Sequence, residues 1–320
     1  MILKCDKDDA AWRFIFDHDA GFGPMHATMR WGMAKDELLD KYSIDHLSIK
    51  DFKRLSRFIG DKIGIKMPDV KKGMVESRLR KRLRSLKIET YHDYCTYLFS
   101  PEGMADELNA FINVITTNKT DFFREPEHFS FLADHALPDI LSSFHRTGER
   151  MVKIWSSACS RGAEPYTIAM VLANLQATPP QFNYSILASD ISTEVLDIGK
   201  KGIYSGQEIG PISLDYRKKY LLRSKDRKKD LFRITPELRS RVNFVQLNLV
   251  TDDYRITDKM DAIFCRNVII YFSKETQDHL MWRLCGQLRS GGYMFMGHSE
   301  LLDCRELPLV SVAPTIYKKK

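Results

Sequence analysis

Apolar side chains recur at helical spacing in the first third of the chain. Four of them fall on one face of a single helix: Val75, Leu79, Leu83 and Leu86. A second apolar run covers residues 108–115, and Gly60, Gly64 and Pro68 interrupt the pattern between segments. The spacing therefore predicts a small domain of short helices over residues 44–118.

From residue 119 onward, short apolar runs alternate with helical patterns. The runs predict strands over residues 152–155, 185–189, 242–246, 260–265, 293–296 and 309–317. The helical patterns predict helices over 127–141, 165–175, 193–200 and 274–288, the last one closed by Gly291 and Gly292. This alternation predicts an α/β fold with a doubly wound, mostly parallel sheet over residues 119–320.

Two stretches depart from these patterns. Residues 202–241 carry isolated strand-like pieces and are too long for a plain connection, so we expect a small inserted β subdomain. Residues 1–43 form an N-terminal extension of uncertain order, because the segment 17–24 breaks any periodicity. Its aromatic residues remain available to dock on the rest of the chain: Trp12, Phe14, Phe16 and Trp31.

The composition narrows the class of protein. The chain has 320 residues, of which 43% are hydrophobic and 28% charged, as in ordinary globular proteins. It contains no apolar run near the ~20 residues of a membrane helix and no secretory signal at its start. Its six cysteines form no Cys-x-x-Cys pair, which disfavours metal or redox chemistry. We expect a soluble, cytoplasmic protein without a metal site.

Positive charge is concentrated in one segment. Residues 50–89 carry 14 Lys and Arg against 5 Asp and Glu, a net charge of +9. The whole chain carries +7, so the remainder carries −2. This distribution indicates that the helical domain binds an acidic partner.

Polar residues follow the predicted strands at their carboxyl ends, where open parallel sheets bind their ligands. A turn of small residues over 156–164 leads into a helix opened by Glu164, whose first N–H groups point toward a ligand. Asp190 ends the second strand, where it either accepts hydrogen bonds from both ribose hydroxyls or caps the next helix. Asn248, followed by Leu249, either bonds an adenine edge or caps a turn.

Two further segments carry candidate chemistry. Arg266 and Asn267 follow the apolar run 260–265, and an arginine in such surroundings needs a partner because burying an unpaired charge is costly. Residues 116–126 join the two predicted domains, where a cleft between them would lie. This polar segment with an aromatic pair and Arg124 is either part of a site or a solvated linker.

Taken together, these segments resemble the chemotaxis receptor glutamate methyltransferases, the CheR family, over roughly residues 45–317. Five segments match in order: 116–124, 155–166, 188–191, 261–272 and 297–300. The basic run 71–83 is similar to an N-terminal helix of that family. The resemblance implies a class I methyltransferase fold that uses S-adenosylmethionine and releases S-adenosylhomocysteine.

The resemblance also implies roles for individual residues. It places these at the cofactor: Asn118, Thr120, Arg124, Glu164, Asp190, Asn248, Leu249, Arg266 and Asn267. It places Arg124 and Tyr271 at the transferring methyl group as catalytic residues and requires no metal. Arg161 and Ala163 depart from the usual pattern, which alters the contact expected around Arg161.

The expected partner is the acidic helical region of chemoreceptors in the cytoplasm. The docking residues implied are Lys71, Arg78, Lys81 and Arg82, which form one stripe beside the apolar helix face; the alternative is an ordinary solvated face. Segment 222–230 contains no glycine for a tight hairpin, so we expect docking without a receptor peptide tether. We also expect a monomer that neither binds nucleic acid nor inserts into membranes.

Two other functions remain open at this point. The basic segment also suits a nucleic-acid methyltransferase, although the fourth strand ends in Arg-Asn-Val-Ile and lacks an Asn/Asp-Pro-Pro-aromatic motif. The departure at Arg161 also suits a non-catalytic module that binds the cofactor or the receptor. Alkali-labile methyl groups on protein separate the leading hypothesis from the first alternative, because N-methyl groups resist mild alkali.

Overall fold

The computed structural model describes residues 11–15, 46–144, 151–176, 181–226, 228–251 and 253–320. Residues 46–117 belong to one compact unit, and residues 11–15 with 118–320 belong to a second. Most of the predicted N-terminal extension, including Phe16 and Trp31, lies outside the described residues. No helix in the described ranges is long and apolar enough to cross a membrane.

The first unit consists of helices that bury one apolar side each. Its helices are α1 (Ile49–Ile63), α2 (Lys72–Leu86), α3 (Tyr91–Leu98), α4 (Pro101–Asp106) and α5 (Leu108–Ile115). The Ser48 side chain accepts the N–H of Asp51 at the start of α1, and Gly64 ends that helix in the left-handed conformation. On α2, Val75, Leu79 and Leu83 are buried, as the helical spacing predicts.

The second unit contains a seven-stranded sheet. Its strands are β2 (Met151–Ser157), β3 (Asn183–Asp190), β7 (Val242–Gln246), β8 (Met260–Cys265), β9 (Leu288–Met296), β10 (Leu309–Ala313) and β11 (Ile316–Lys319). The spatial order is β10-β11-β9-β8-β2-β3-β7. The β9-β8-β2-β3-β7 segment is parallel, whereas β11 pairs antiparallel with both β9 and β10. The doubly wound, mostly parallel sheet is confirmed.

Helices of the second unit lie in the connections between strands. They are α6 (Glu127–Phe131), α7 (Leu137–Ser142), α8 (Ala163–Gln176), α9 (Thr193–Lys201), α10 (Leu214–Tyr220), α11 (Pro236–Arg239) and α12 (Lys274–Gln287). A π-helical turn over Leu132–Ala136 joins α6 to α7, so the predicted helix over 127–141 exists with one irregular turn. β2 lies between β3 and β8: the chain runs from β2 to β3 and β7 on one side and continues in β8 and β9 on the other. Open parallel sheets bind their ligands at the carboxyl ends of the strands beside such a change of direction.

Two expectations about the end of the chain were wrong. Gly291 and Gly292 do not close α12, because β9 begins directly after it at Leu288. Both glycines lie inside β9 where its register with β8 shifts, and a Cβ at Gly292 would lie 2.9 Å from the Asp261 carbonyl oxygen. The run 309–317 is not one strand, since β10 and β11 form a hairpin turning near Thr315.

A second sheet combines three strands of the stretch 202–241 with one strand from the start of the chain. It contains β1 (Trp12–Phe14), β4 (Ile203–Ser205), β5 (Leu221–Ser224) and β6 (Leu231–Ile234) in the antiparallel order β1-β5-β6-β4. β5 and β6 pair across the loop 225–230, which is longer than the tight turn for which a glycine would be needed. The expectation of docking without a receptor peptide tether stays a prediction. Asp226 shapes the loop: its carboxylate accepts the N–H of Lys228 and its carbonyl accepts that of Lys229.

Candidate active site

Left-handed backbone conformations are concentrated in the segments around the carboxyl edge of the sheet. Eight described residues other than glycine have positive φ, and five of them lie in these segments: Phe123, Glu125, Ala158, Ser160 and Asn267. Such conformations are uncommon for residues with a Cβ and are found often at functional sites. The segments at the carboxyl edge of the sheet therefore contain more left-handed residues than the other described segments do.

The turn after β2 approaches three other segments closely. The N–H of Ser160 donates to Asp190 Oδ2 at 2.8 Å, and the Ser160 hydroxyl donates to the Asn118 carbonyl at 2.8 Å. Gly162 has a φ of 91°, and a Cβ there would lie 3.1 Å from Gly199 Cα on α9. These contacts bring Asn118 and Asp190 to the same turn.

Asp190 accepts two backbone hydrogen bonds at the end of β3. Besides the bond from Ser160, its Oδ1 accepts the N–H of Ser192 at 3.0 Å. Ser192, and not Asp190, caps α9, because its hydroxyl accepts the N–H of Val195. Burial raises the pKa of Asp190, and the backbone donors oppose that shift. An ionised carboxylate has about four acceptor positions, so Asp190 retains acceptor capacity for a ligand hydroxyl.

Glu164 lies in the first turn of α8, where a negative charge is favoured by the helix N-terminus. Its Oε1 accepts the Ser156 hydroxyl at 2.7 Å, and its Oε2 accepts Arg266 Nη1 at 3.0 Å. Only 13% of the side chain is exposed. Burial raises the pKa of Glu164, and Arg266 opposes the shift. The carboxylate is thus oriented by two donors.

Arg266 has the partners that its apolar sequence context required. Only 2% of the side chain is exposed, and besides Glu164 it donates to Glu125 Oε2 at 2.9 Å and to the Arg124 carbonyl at 2.5 Å. The guanidinium also lies 5.4 Å from the centre of the Phe129 ring. Its contacts join the ends of β8 and α8 to the segment that carries Arg124.

The sequence did not assign a role to Glu300, which organises the loop after β8. Its buried carboxylate accepts the N–H groups of Asn267 at 2.6 Å, Gly297 at 2.8 Å and Ile269 at 2.9 Å. Burial raises the pKa of Glu300, and these donors oppose the shift. Tyr271 ends the short 3₁₀ turn that begins at Ile269, so Glu300 fixes the backbone leading to it. The Gly-His-Ser-Glu motif at 297–300 is the sequence signal from which this role of Glu300 could have been inferred.

The remaining predicted residues occupy more open positions. Arg124 has 37% of its side chain exposed, and its Nε lies 3.9 Å from Glu125 Oε1. Thr120 and Tyr271 are half-buried. The Asn248 Oδ1 accepts the N–H of Val250 at 3.2 Å, which supports the turn-capping alternative for that oxygen. Buried Leu249 receives the Tyr254 hydroxyl on its carbonyl at 2.7 Å.

The two departures from the family pattern have separate structural explanations. Arg161 Nη2 lies 2.9 Å from Glu208 Oε1, and the Tyr204 hydroxyl donates to the Arg161 carbonyl at 2.7 Å. The side chain of Arg161 thus pairs with the inserted segment. Ala163 is buried at the start of α8, where its carbonyl accepts the Thr167 hydroxyl.

The predicted docking residues lie in the helical unit and have unequal exposure. Lys71 belongs to the 3₁₀ turn before α2, and Lys81 is exposed on α2. Arg78 donates to the carbonyls of Ile115 and Thr116 at the end of α5. Arg82 donates to both oxygens of buried Glu107, from Nε at 2.6 Å and from Nη2 at 2.5 Å. Both arginines therefore stabilise the packing of the helices.

The strand order and the carboxylates Glu164 and Asp190 at the carboxyl edge of the sheet are those of a class I methyltransferase. Two family models match: the CheR methyltransferase all-alpha domain over residues 50–116, and the CheR methyltransferase S-adenosylmethionine-binding domain over residues 118–315. The chemotaxis protein methyltransferase of Escherichia coli is 40% identical over 271 residues, 85% of this chain and 91% of that protein. Chemotaxis protein methyltransferase 2 of Pseudomonas aeruginosa is 38% identical over 274 residues, 85% and 94% respectively.

The chain belongs to the CheR family of chemotaxis methyltransferases. This confirms the resemblance seen in the sequence, together with S-adenosylmethionine as cofactor.

Proposed function

We propose that this enzyme transfers a methyl group from S-adenosylmethionine to glutamate side chains of chemoreceptors in the cytoplasm, forming methyl esters. In this proposal residues 119–320 are the catalytic domain, with a β subdomain inserted at about 202–241. Residues 44–118 dock the receptor. The family membership supports methylation in chemotaxis, and the observation that carries the choice of a carboxylate substrate is the exposed guanidinium of Arg124.

The residues at the sheet edge fit the chemistry of the cofactor. S-adenosylmethionine presents an ammonium group, two ribose hydroxyls and an adenine, and it supplies an electrophilic methyl group. The Glu164 carboxylate, oriented by Ser156 and Arg266, suits the ammonium group. Asp190 retains acceptor capacity for the hydroxyls, and the turn that carries Ser160 brings bare backbone beside it.

The reaction does not require the protein to transfer a proton. A glutamate side chain with a pKa of ~4.3 is ionised at neutral pH, so no residue has to remove a proton from it. One carboxylate oxygen forms a bond to the methyl carbon while the carbon–sulfur bond breaks, and its electron pair stays on sulfur. The protein contributes by aligning these atoms and by excluding water from the carboxylate.

Arg124 and Tyr271 are the proposed orienting groups. A guanidinium presents a planar pair of donors that matches a carboxylate, and a phenol is a milder donor. An ion pair that is too tight would reduce the nucleophilicity of the carboxylate. The 37% exposure of Arg124, in contrast to buried Arg266, is compatible with a group that meets an incoming substrate.

The test is methylation of native membranes that contain chemoreceptors, with cofactor labelled in its methyl group. We expect label on receptor protein that is released as methanol in mild alkali and that maps to glutamate residues. The Arg124→Ala variant is the matched control, because it removes the orienting group from a half-exposed position. Alkali-stable label, or label on nucleic acid, would contradict the proposal in favour of a different methyl acceptor.

A further inference from the structure

Two imidazoles and a carboxylate converge beside the proposed active site. Glu125, His128 and His298 each present one ligand atom, and these atoms all lie within 4.8 Å of one another. None of the three has a role in the methyl transfer proposed above. The residues come from the segment after Arg124, from α6 and from the loop after β9, so only the fold brings them together.

His128 is the strongest indication that a ligand belongs here. Only 1% of its side chain is exposed, and its Nε2 lies 3.0 Å from the Thr315 hydroxyl. Its Nδ1 is buried, has no hydrogen-bond partner among the described residues, and faces Glu125 Oε2 at 3.6 Å. An unpaired buried nitrogen is costly unless something binds it.

The contact to Thr315 matches a common arrangement around protein-bound metals. A histidine that binds a metal through one nitrogen usually donates a hydrogen bond from the other. In the tautomer whose Nε2–H donates to the Thr315 hydroxyl, Nδ1 carries the lone pair on the side of the cluster.

We propose that Glu125, His128 and His298 form a binding site for a divalent transition-metal ion, of which zinc is the probe of choice. Imidazole nitrogens favour zinc, copper and nickel over magnesium and calcium. Zinc binds nitrogen and carboxylate oxygen at roughly 2.0–2.2 Å, so its ligand atoms lie closer together than 4.8 Å. His298 supplies this adjustment, because 57% of its side chain is exposed.

The charges around the cluster allow a cation despite the nearby arginine. Glu127 contacts His298 at the exposed side of the cluster and adds a negative charge there. Glu125 and Glu127 together supply two negative charges against Arg266, which donates to Glu125 at 2.9 Å. Asn267 Nδ2 donates to the other oxygen of Glu125 at 3.2 Å. An ion bound at this site would therefore share a carboxylate with the residues that support the cofactor site.

The experiment uses the untagged full chain after treatment with a chelator. Calorimetric titration with Zn²⁺ should give one saturable site per chain, and Co²⁺ should produce the visible absorption bands of a nitrogen and oxygen site. His298→Gln should weaken Zn²⁺ binding at least as much as the roughly 10–100-fold that loss of a second-shell partner costs. His279→Gln, an exposed histidine on α12, is the matched control and should bind as the parent does.

The results distinguish metal binding at this site from metal binding by other residues, such as cysteines. Cobalt bands with a strong thiolate component would assign the ion to a cysteine and overturn the proposal. So would the absence of saturable binding, or equal affinity in His298→Gln and the parent chain. His128→Gln should also lose the site. If that variant unfolds because its position is buried, His298→Gln and the cobalt spectrum still decide the matter.

Discussion

Arg266 Nη1 donates to Glu164 Oε2 at 3.0 Å, between two residues that are 102 positions apart in the chain. The Arg266 side chain is almost fully buried, and the Glu164 side chain is slightly exposed to solvent. Removing one partner of a buried pair leaves the other charge uncompensated, which typically costs about 3–5 kcal/mol. The bond therefore both stabilises the sheet edge and sets the charge that a ligand meets.

Binding of S-adenosylhomocysteine should weaken as the pH falls, because its ammonium group binds ionised Glu164. Burial raises the pKa of Glu164 in the free protein, so protonation begins at a higher pH than for an ordinary glutamate. Affinity should be full above that raised pKa and decline through it. Titration calorimetry across this range checks the direction. Glu164→Gln should bind weakly and lose most of the pH dependence, leaving the part due to Asp190.

Asp190→Ala should reduce affinity for S-adenosylhomocysteine by about 2–4 kcal/mol, because two charge-assisted hydrogen bonds to the ribose are lost. Part of the effect will come from the turn, since the N–H groups of Ser160 and Ser192 also lose their acceptor. Asp197→Ala, an exposed residue on α9, is the control. Unchanged affinity in a folded Asp190→Ala protein would show that this carboxylate serves only the turn.

Arg124→Ala should lower methyl transfer strongly while leaving the unfolding temperature close to that of the parent. The side chain is partly exposed, so its removal leaves no buried charge. Tyr271→Phe should have a smaller effect, because it keeps the ring and removes one hydroxyl. Initial rates with saturating cofactor check both. If both variants methylate receptor at the parent rate, neither residue orients the substrate.

Glu300→Gln should destabilise the second unit by about 2–4 kcal/mol. A glutamine keeps one acceptor oxygen and turns an amide toward N–H groups that already donate, so buried donors lose their partners. Chemical unfolding measures the effect, with exposed Glu306→Gln as control. Equal stability in the two variants would mean that the loop after β8 can reorganise without Glu300.

Local sequence patterns predicted the sheet well because buried parallel strands have a strong signature. The runs 242–246 and 260–265 coincide with β7 and β8. The double glycine at 291–292 led to the wrong prediction of a helix end, because glycine ends helices but also permits a bulge in a strand. The absence of glycine from segment 222–230 did not prevent β5 and β6 from pairing, because their loop is longer than a tight turn and Asp226 accepts the N–H groups of Lys228 and Lys229 within it.

Contacts between distant segments were the least predictable part of the site. The apolar sequence around Arg266 indicated that this residue needs a partner. It did not indicate that Glu125 is one of its partners. Likewise, the sequence disfavoured metal chemistry because its cysteines form no Cys-x-x-Cys pair. The cluster of Glu125, His128 and His298 spans more than 170 positions and arises only from the fold.

Charge reversal at Lys81 should test receptor docking better than charge reversal at Arg82, because Arg82 also stabilises the helical unit. Reversing the charge of Arg82 would set a carboxylate against buried Glu107, so Arg82→Glu should unfold the helical unit more easily. Loss of activity in that variant would not report on docking. Lys81 is exposed on the same helix, so Lys81→Glu should keep the unfolding temperature and weaken only the attraction to an acidic receptor.

The docking measurement is the KM for receptor at low and high salt. Lys81→Glu should raise KM several-fold at low salt with little change in kcat, and the difference from the parent should shrink at high salt because the charges are screened. Lys53→Glu, exposed on α1, carries the same charge change at another place in the unit. Equal effects at the two positions would show that overall charge, rather than the α2 surface, governs the encounter. An effect confined to Lys81 would place the receptor on α2.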